Sequence, residues 1–221
     1  DSAKQIEAVR GFIQQQVDYI IIDPIVSTGW ETVLTECEEA GIPVIAYDRL
    51  LMNSDAVSYY ATFDNYMVGT KQGEYIVEAL DLENAAGPFN MEVFTGDPGD
   101  NNARFFYGGA IDVLQPYIDA GKLVITSGSL DFADVATANW SSETAQSRME
   151  AILSSYYADG TQLDVVLCSN DSTALGVTNA LENNYTGEWP VITGQDCDIA
   201  NVKKIQPKIP NIIFFIISNT F

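Results

Sequence analysis

Charged and amide side chains follow several predicted strands, at the end where an open α/β sheet binds its ligands. Asp48 and Arg49 come directly after the apolar run Val44–Ala46. A carboxylate accepts hydrogen bonds and a guanidinium donates several in a rigid fork, so the pair suits a neutral ligand rich in hydroxyls. The alternative is a partly exposed ion pair that only caps the strand. Similar polar residues end other predicted strands: Asp23, Asp97 to Asn102, Asn170-Asp171 and Gln195-Asp196.

An aromatic side chain completes this set, because Trp140 stands just before a predicted helix. A sugar has an apolar face of C–H groups, which an aromatic ring covers, and a rim of hydroxyls, which planar polar groups satisfy. The residues therefore indicate a sugar site. Asp97 and Asp100 offer a hard-cation site as the alternative, but no EF-hand-like spacing supports it. Neither a metal nor a cofactor is expected.

The elements that carry these residues alternate between strand and helix. A strand over Val17–Ile22, a helix over Thr28–Ala40 and a strand over Pro43–Tyr47 form a βαβ unit, and Gly41 ends the helix. Because such units give parallel strands and no hairpin signal appears, the sequence predicts an α/β fold with an open parallel sheet. The same pattern predicts further strands at Val57–Ala61, Asn90–Thr95, Leu123–Thr126, Leu163–Cys168 and Val191–Thr193, and helices at Ser2–Gln16, Tyr66–Leu80, Ala103–Gln115, Ser141–Tyr157, Thr173–Asn183 and Ile199–Ile205.

The acidic composition excludes several classes of partner. The chain has 10 basic and 31 acidic residues, which gives a net charge of −21. Nucleic-acid binding is not expected, because phosphates need Lys and Arg, and anionic membrane surfaces are disfavoured for the same reason. The sequence has no histidine, which excludes Ser-His-Asp and Cys-His nucleophile systems and His-ligated metals. Cys37, Cys168 and Cys197 lack CxxC spacing, so free thiols and a Cys168–Cys197 bridge are both open.

Catalysis is not expected from these residues. Paired carboxylates hydrolyse glycosides when they stand across a bond. Asp48, however, lies beside Arg49, which we expect to hold it ionised rather than to raise its pKa. The sequence contains no GxSxG, P-loop or GxGxxG motif. Binding without turnover is therefore the favoured hypothesis, with a sugar-handling α/β enzyme as an alternative.

Short motifs at the strand ends and helix starts follow one another over residues 1–205 in an order that is typical of one family. These motifs are Val17–Ile22, Gly41–Arg49, Phe63-Asp64-Asn65 with Gly69 and Gln72-Gly73, Gly96-Asp97-Pro98 with Asp100 to Ala103, Trp140 with Ala145 to Met149, Ser169-Asn170-Asp171, and Gly194-Gln195-Asp196. In these motifs the chain resembles the periplasmic sugar-binding proteins of ABC transporters. Within that family it is most similar to the xylose-binding and multiple-monosaccharide-binding group.

The resemblance implies two α/β lobes, each a parallel sheet flanked by helices, which close on a sugar between them. It assigns residues 1–62 plus 197–221 to the first lobe and residues 63–196 to the second. Trp140 is the implied stacking platform, and Arg104 is a weaker candidate that could equally pair on its helix surface. The ligand-binding residues that the resemblance implies are Asp48, Arg49, Asp100, Asn102, Trp140, Asn170 and Asp196.

The function implied by the resemblance is capture of a monosaccharide, an aldose such as xylose, glucose, galactose or arabinose, for ABC transport or for chemotaxis and sensing. The implied partners are the sugar, the membrane subunits of an ABC permease, and a chemoreceptor or sensor kinase. The protein is expected to be a monomer, located in the periplasm or lipid-anchored outside the cell. An effector-binding domain of a sugar-responsive transcription regulator is the alternative, and it would need a helix-turn-helix upstream.

Both ends of the chain depart from the family pattern. The family opens with a strand and helix that carry ligand contacts, whereas this chain begins in a predicted helix and shows no signal peptide. After Lys204 the sequence no longer matches the family, and its apolar run Ile212–Ile217 is far too short to span a bilayer. We therefore expect weak or absent sugar binding by these residues alone.

Overall fold

The computed structural model describes residues 1–204, and the chain divides into two compact units. The first unit comprises Asp1–Asn65 together with Gly99–Asn102, and the second comprises Tyr66–Pro98 and the chain from Ala103 onward. The short segment Gly99–Asn102 thus belongs to the first unit, although the second unit provides the chain on both sides of it.

The predicted lobe boundaries, 1–62 plus 197–221 and 63–196, stay a prediction. Residues 205–221 lie outside the described residues. The last described helix, Ile199–Lys204, groups with the second unit, whereas the prediction gave it to the first lobe.

The first unit contains a parallel sheet in the order β1-β2-β3. Helix α1 ends on Gln16 in the left-handed conformation, and the Val17 N–H still bonds the Phe12 carbonyl. The predicted first strand is therefore shorter, because Val17 completes the helix end instead of entering the sheet. Gly41, also left-handed at φ 70°, ends the second helix as predicted. The elements of this unit are α1 (Ser2–Gln15), β1 (Ile20–Ile22), α2 (Glu31–Glu39), β2 (Val44–Tyr47) and β3 (Val57–Ala61).

The second unit contains a parallel sheet in the order β5-β4-β6-β7. Its predicted strands and long helices are confirmed with small shifts at their ends. Its elements are α3 (Asn65–Ala79), β4 (Phe89–Phe94), α4 (Asn101–Asp119), β5 (Leu123–Ile125), α5 (Phe132–Val135), a 3-10 turn (Ala138–Trp140), α6 (Ser142–Tyr156), β6 (Val165–Cys168), α7 (Asp171–Asn184), β7 (Val191–Ile192) and α8 (Ile199–Lys204). The first residues of α3 and α4 group with the first unit.

The central strand β6 is buried on both faces, and its alternate residues enter two separate cores. Val166 and Cys168 pack into the core formed with α6 and α7, whereas Val165 and Leu167 pack into the core that includes Ile76 of α3 and Leu114 of α4. A continuous apolar strand is what a parallel sheet covered on both faces requires. The α/β fold class with parallel sheets flanked by helices is thereby confirmed.

Helix α5 and the 3-10 turn were not predicted from the sequence. This segment is tied to the loop after β4, because the Thr95 N–H bonds the Val135 carbonyl and the Thr137 N–H bonds the Gly96 carbonyl. These contacts join residues far apart in the chain, which local propensity does not register. None of the helices in the described residues has the length and apolar character that crossing a bilayer requires.

Candidate functional site

In the first unit, Arg49 lies between two carboxylates. Its Nε is 2.7 Å from Asp100 Oδ2 and 3.8 Å from Asp48 Oδ2. Its Nη1 donates to the carbonyls of Pro24 and Ile25, at 3.2 Å each. Asp100 is only 2% exposed, so the guanidinium neutralises a carboxylate that is almost fully removed from water. Of the two carboxylates, Asp48 is the more exposed and is therefore the more accessible hydrogen-bond acceptor.

Burial raises the pKa of the Asp48 carboxyl above its usual range. The carboxylates of Asp23 and Asp100 also raise this pKa, and Arg49 lowers it by less than burial raises it. The prediction that Arg49 keeps the pKa of Asp48 from being raised is therefore wrong. The physical reason is that the guanidinium approaches Asp100 much more closely than its sequence neighbour.

Side chains of the first unit hold the segment Gly99–Asn102 in place. The Ser27 N–H donates to the Gly99 carbonyl, and the Ser27 Oγ accepts from the Asn101 N–H. Asn102 Nδ2 donates to the Asp48 carbonyl at 3.1 Å, and Asn102 Oδ1 accepts from Asn65 Nδ2 at 2.9 Å. Asn102 thus braces the backbone of Asp48, and Asn65 fixes which way its amide points.

In the second unit, Asn170 and Asp196 form a pair. Asn170 caps helix α7, because its Oδ1 accepts from the Thr173 N–H at 3.0 Å. Its Nδ2 donates to Asp196 Oδ2 at 3.3 Å. The sequence-predicted contacts at the ends of β6 and β7 are therefore brought together, with the cap fixing the amide so that its NH₂ group faces the carboxylate.

Asp171 supports this pair from the interior. Its Oδ2 accepts from the Asp198 N–H at 2.7 Å, and its own N–H bonds the Gln195 carbonyl. Burial raises the pKa of Asp171 to about 7, although the Asp198 N–H lowers it, and the carboxylates of Asp196 and Asp198 raise it as well. The sequence identifies Asp171 only as a polar residue that follows a predicted strand, because burial is not visible in a sequence.

Trp140 is held on the loop that follows β4. A Cβ added to Gly96 would lie 2.0 Å from the indole Cη2, so the ring packs directly on the glycine backbone. The Phe106 ring meets the indole edge-on, with centroids 6.3 Å apart. The Asn139 N–H donates to the Asp97 carboxylate, which ties down the turn that carries the tryptophan.

Three of the predicted contact residues have a left-handed backbone. The φ angles are 61° for Asp48, 54° for Trp140 and 95° for Asp196. Residues other than glycine rarely adopt this region, and it costs on the order of 1–3 kcal/mol each unless the surroundings impose it. Such strain is concentrated at ligand sites. Here it falls on three residues that the family resemblance independently implies as ligand contacts.

Other candidates have different surroundings. The Arg104 guanidinium lies 4.3 Å from the Phe132 ring centroid, so the structure uses this residue in surface packing.

Cys37, Cys168 and Cys197 are free thiols, and the first two are buried. Among residues 1–204, no group of three or more His, Cys, Asp or Glu side chains is arranged to hold a metal ion. A cavity of about 640 Å³ lies at the carboxyl ends of α6 and α7, and its lining includes Tyr157 and Tyr185 but none of the predicted contact residues.

Two parallel sheets with polar groups at their carboxyl ends define the class of a ligand-binding α/β protein. Residues 1–219 match the periplasmic binding protein domain, and the chain belongs to that family. It is 43% identical over 209 residues to the multiple sugar-binding periplasmic protein SbpA of Azospirillum brasilense, covering 93% of this chain and 58% of that protein. To the multiple sugar-binding periplasmic receptor ChvE of Rhizobium radiobacter it is 44% identical over 209 residues, covering 93% of this chain and 59% of the receptor.

A solved structure of a similar protein agrees with this family assignment. An ABC transporter solute binding protein from Clostridium phytofermentans, solved with bound β-D-glucose, has a TM-score of 0.91 and 67% identity, covering 93% of this chain and 63% of that one. The chain thus spans less than two thirds of the length of these relatives. The resemblance to sugar-binding periplasmic proteins is confirmed. The family and these relatives are binding proteins rather than enzymes, in agreement with the expectation that the residues do not catalyse a reaction.

Proposed function

We propose that the protein captures a monosaccharide outside the cytoplasm and delivers it to an ABC permease. The observation that carries the proposal is that polar residues predicted from sequence to touch a sugar gather, within each unit, at the carboxyl ends of the strands. Arg49 is held between Asp48 and Asp100 in one unit, and Asn170 is held against Asp196 in the other. The names of the relatives, which include a multiple sugar-binding receptor and a D-xylose-binding periplasmic protein, support the same ligand class.

The proposed ligand contacts divide by chemistry. Asp48 and Asp196 accept hydrogen bonds from sugar hydroxyls, and Arg49 and the Asn170 amide donate to hydroxyl or ring oxygens. Trp140 covers the apolar face of the sugar ring. A site that is built from such groups rejects compounds lacking the matching hydroxyls, because its buried polar groups would then be left unpaired.

A thermal-shift panel of aldoses and uronic acids on the full-length protein tests the proposal. Because a ligand that binds only the folded state stabilises it by about 2.7 kcal/mol at a hundredfold excess over Kd, a bound sugar raises the Tm clearly. We expect one or a few neutral aldoses to do so. Titration calorimetry then gives Kd, and the absence of any shift with every sugar in the panel would contradict the proposal.

The partners and location belong to the same proposal. We expect the protein to work in the periplasm or anchored outside the cell, as a monomer that docks on permease subunits and, in some settings, on a chemoreceptor or sensor kinase. One structural neighbour at 24% identity is the fructose-binding periplasmic domain of a hybrid two-component system, and it supports the fold alone. The sequence upstream of these residues decides the location, because a signal peptide supports export and a basic helix-turn-helix supports a transcription regulator instead.

A further inference from the structure

Gln72 is a fully buried amide whose hydrogen bonds all go to the ligand end of the second sheet. It lies on helix α3 and is 0% exposed. Its Nε2 donates to the Ser169 carbonyl at 3.2 Å and to the Gly194 carbonyl at 3.3 Å. Ser169 directly follows β6, and Gly194 lies just past the end of β7. One side chain therefore bridges the first residues of two neighbouring loops.

These two loops carry the predicted sugar contacts of the second unit. Asn170 comes immediately after Ser169, and Asp196 lies two residues after Gly194. A carbonyl held in place fixes the peptide plane that leads to the next residue, because the peptide bond is planar. The amide of Gln72 thus constrains the backbone from which both Asn170 and Asp196 project.

The sheet itself gives these loops little support. Strand β7 has only two residues, which pair with Val165 and Val166 of β6. Beyond that ladder, the two strands are joined through the Thr193 hydroxyl, which accepts from the Cys168 N–H and donates to the Cys168 carbonyl, each at 2.9 Å. Further toward the ligand end, the two loops are joined by one backbone bond, from the Asp171 N–H to the Gln195 carbonyl, and by the side-chain bridge that Gln72 makes between Ser169 and Gly194.

We propose that Gln72 is a positioning residue for sugar binding, which sets the separation of the two loops so that Asn170 and Asp196 meet the ligand as a preformed pair. The inference rests on the proposed sugar-binding function. It assigns to Gln72 the task of positioning the contacts, which differs from the task of the predicted contact residues themselves. Both acceptors are carbonyl oxygens, so the bridging group must be a double donor, which an amide NH₂ is and a carboxylate or thioether is not.

The same two strands offer a matched control at their opposite end. Gln162, just before β6, also uses Nε2 to bridge two carbonyls, those of Leu163 at 2.7 Å and Glu188 at 2.9 Å. It is partly buried, its Oε1 also accepts from the Glu188 N–H at 3.2 Å, and it lies at the amino ends of β6 and β7, away from Asn170 and Asp196. Comparing variants of the two residues therefore separates the general effect of losing a bridge between the strands from the effect of losing it at the ligand end.

The test compares Gln72→Met with Gln162→Met in the full-length protein, using the aldose that gives the largest thermal shift. We expect Gln72→Met to weaken Kd roughly tenfold, because two buried hydrogen bonds that orient the contacts are lost. Gln162→Met is expected to lower the Tm of the ligand-free protein while its Kd stays within about twofold of the parent value. Gln72→Asn, a smaller amide that keeps the donor, is expected to give an intermediate Kd and serves in place of Gln72→Met if that variant does not fold.

A double-mutant cycle with Asn170→Ala separates positioning from general stability. If Gln72 acts through the Asn170–Asp196 pair, its replacement costs much less affinity once Asn170 is already truncated. Additive losses, or an unchanged Kd in Gln72→Met and Gln72→Asn with a lowered ligand-free Tm, would overturn the inference. A parent protein that binds no sugar would instead overturn the proposed function, so the two failures are distinguishable.

Discussion

The two sheets differ in how they are covered. In the second unit, β6 is buried on both faces by two apolar cores. In the first unit, the described residues build one core, which α1 and α2 form with alternate residues of β1 and β2. On the other face of that sheet the described residues leave apolar side chains uncovered, with Ile21 59%, Tyr47 54% and Tyr59 69% exposed.

This difference teaches where the stability of the described residues resides. The second unit has the two packed layers that a parallel sheet needs, whereas in the first the described residues cover only one face of the sheet. The two groups of predicted contacts differ as well. The first unit relies on a guanidinium between carboxylates, and the second relies on an amide, a carboxylate and an indole.

The largest expected effect separates the two sheets directly. Leu167→Ala in β6 should lower the free energy of unfolding by about 2–5 kcal/mol, because it leaves a cavity in a closed core. Ile21→Ala in β1 should change it by less than about 0.5 kcal/mol, since this side chain is already in water. Urea unfolding of both variants measures the two values, and equal losses would break the comparison.

The second prediction concerns the buried carboxyl of Asp171. Its pKa in the folded protein is about 7, against an ordinary value of 3.8. Because the folded state then binds its proton more tightly than the unfolded state, this group stabilises the fold fully below about pH 4 and loses that contribution as the pH rises through 7. The loss is at most about 4 kcal/mol, from the free energy equivalent of the pKa shift.

Urea unfolding of the parent and of Asp171→Asn between pH 4 and pH 8 measures this effect. The variant cannot ionise at this position, so its stability should vary less with pH across the window. Asp48→Asn is the matched variant in the first unit, and its effect should be smaller because the Asp48 side chain keeps more contact with water. A parent and an Asp171→Asn variant with parallel pH profiles would contradict the prediction.

Breaking the ion pair of the first unit should have a smaller effect. Arg49→Met leaves Asp100 buried without the guanidinium that lies 2.7 Å from it. We expect a loss of about 1–3 kcal/mol in unfolding free energy, less than for a fully buried pair because Arg49 keeps some contact with water. Arg10→Met, which removes a pair on the exposed surface of α1, is the control and should cost less than about 1 kcal/mol.

The last prediction concerns binding rather than unfolding. Trp140→Ala in the full-length protein should weaken sugar binding by about 1–3 kcal/mol through lost apolar contact. Titration calorimetry measures this change. Gly96→Ala should weaken binding in the same direction, because its methyl group would occupy the place of the indole. An unchanged Kd in both variants would remove Trp140 from the site.

Much of this architecture could be predicted from local patterns. The alternation of apolar runs and amphipathic segments predicted the strands and the long helices, since buried parallel strands read as short apolar runs. Gly41 predicted a helix end for the same local reason. The placement of Asn170 and Asp196 at the same edge of one sheet followed from a rule of topology, which collects strand ends there, whereas their hydrogen bond is seen only in the structure.

What could not be predicted depends on contacts between distant residues. Arg49 was paired with its neighbour Asp48, but the closer partner is Asp100, which is 51 positions away in the sequence (100 − 49). The bridge made by Gln72 and the raised pKa of Asp171 are equally invisible in a linear pattern. The bridge depends on long-range hydrogen bonding and the raised pKa depends on burial. Neither produces a recognisable pattern in the sequence.

The left-handed backbones of Asp48, Trp140 and Asp196 have a consequence for engineering. Glycine at Asp48 would relieve local strain, and this gain opposes the entropy that glycine adds to the unfolded chain, whereas glycine at Trp140 or Asp196 would also remove the packing on Gly96 or the bond from Asn170. At Asp48 it would also delete a side chain that we assign to ligand recognition. Selection for thermostability at this position would therefore act against affinity, so a screen for robust variants should require retained sugar binding in the same round.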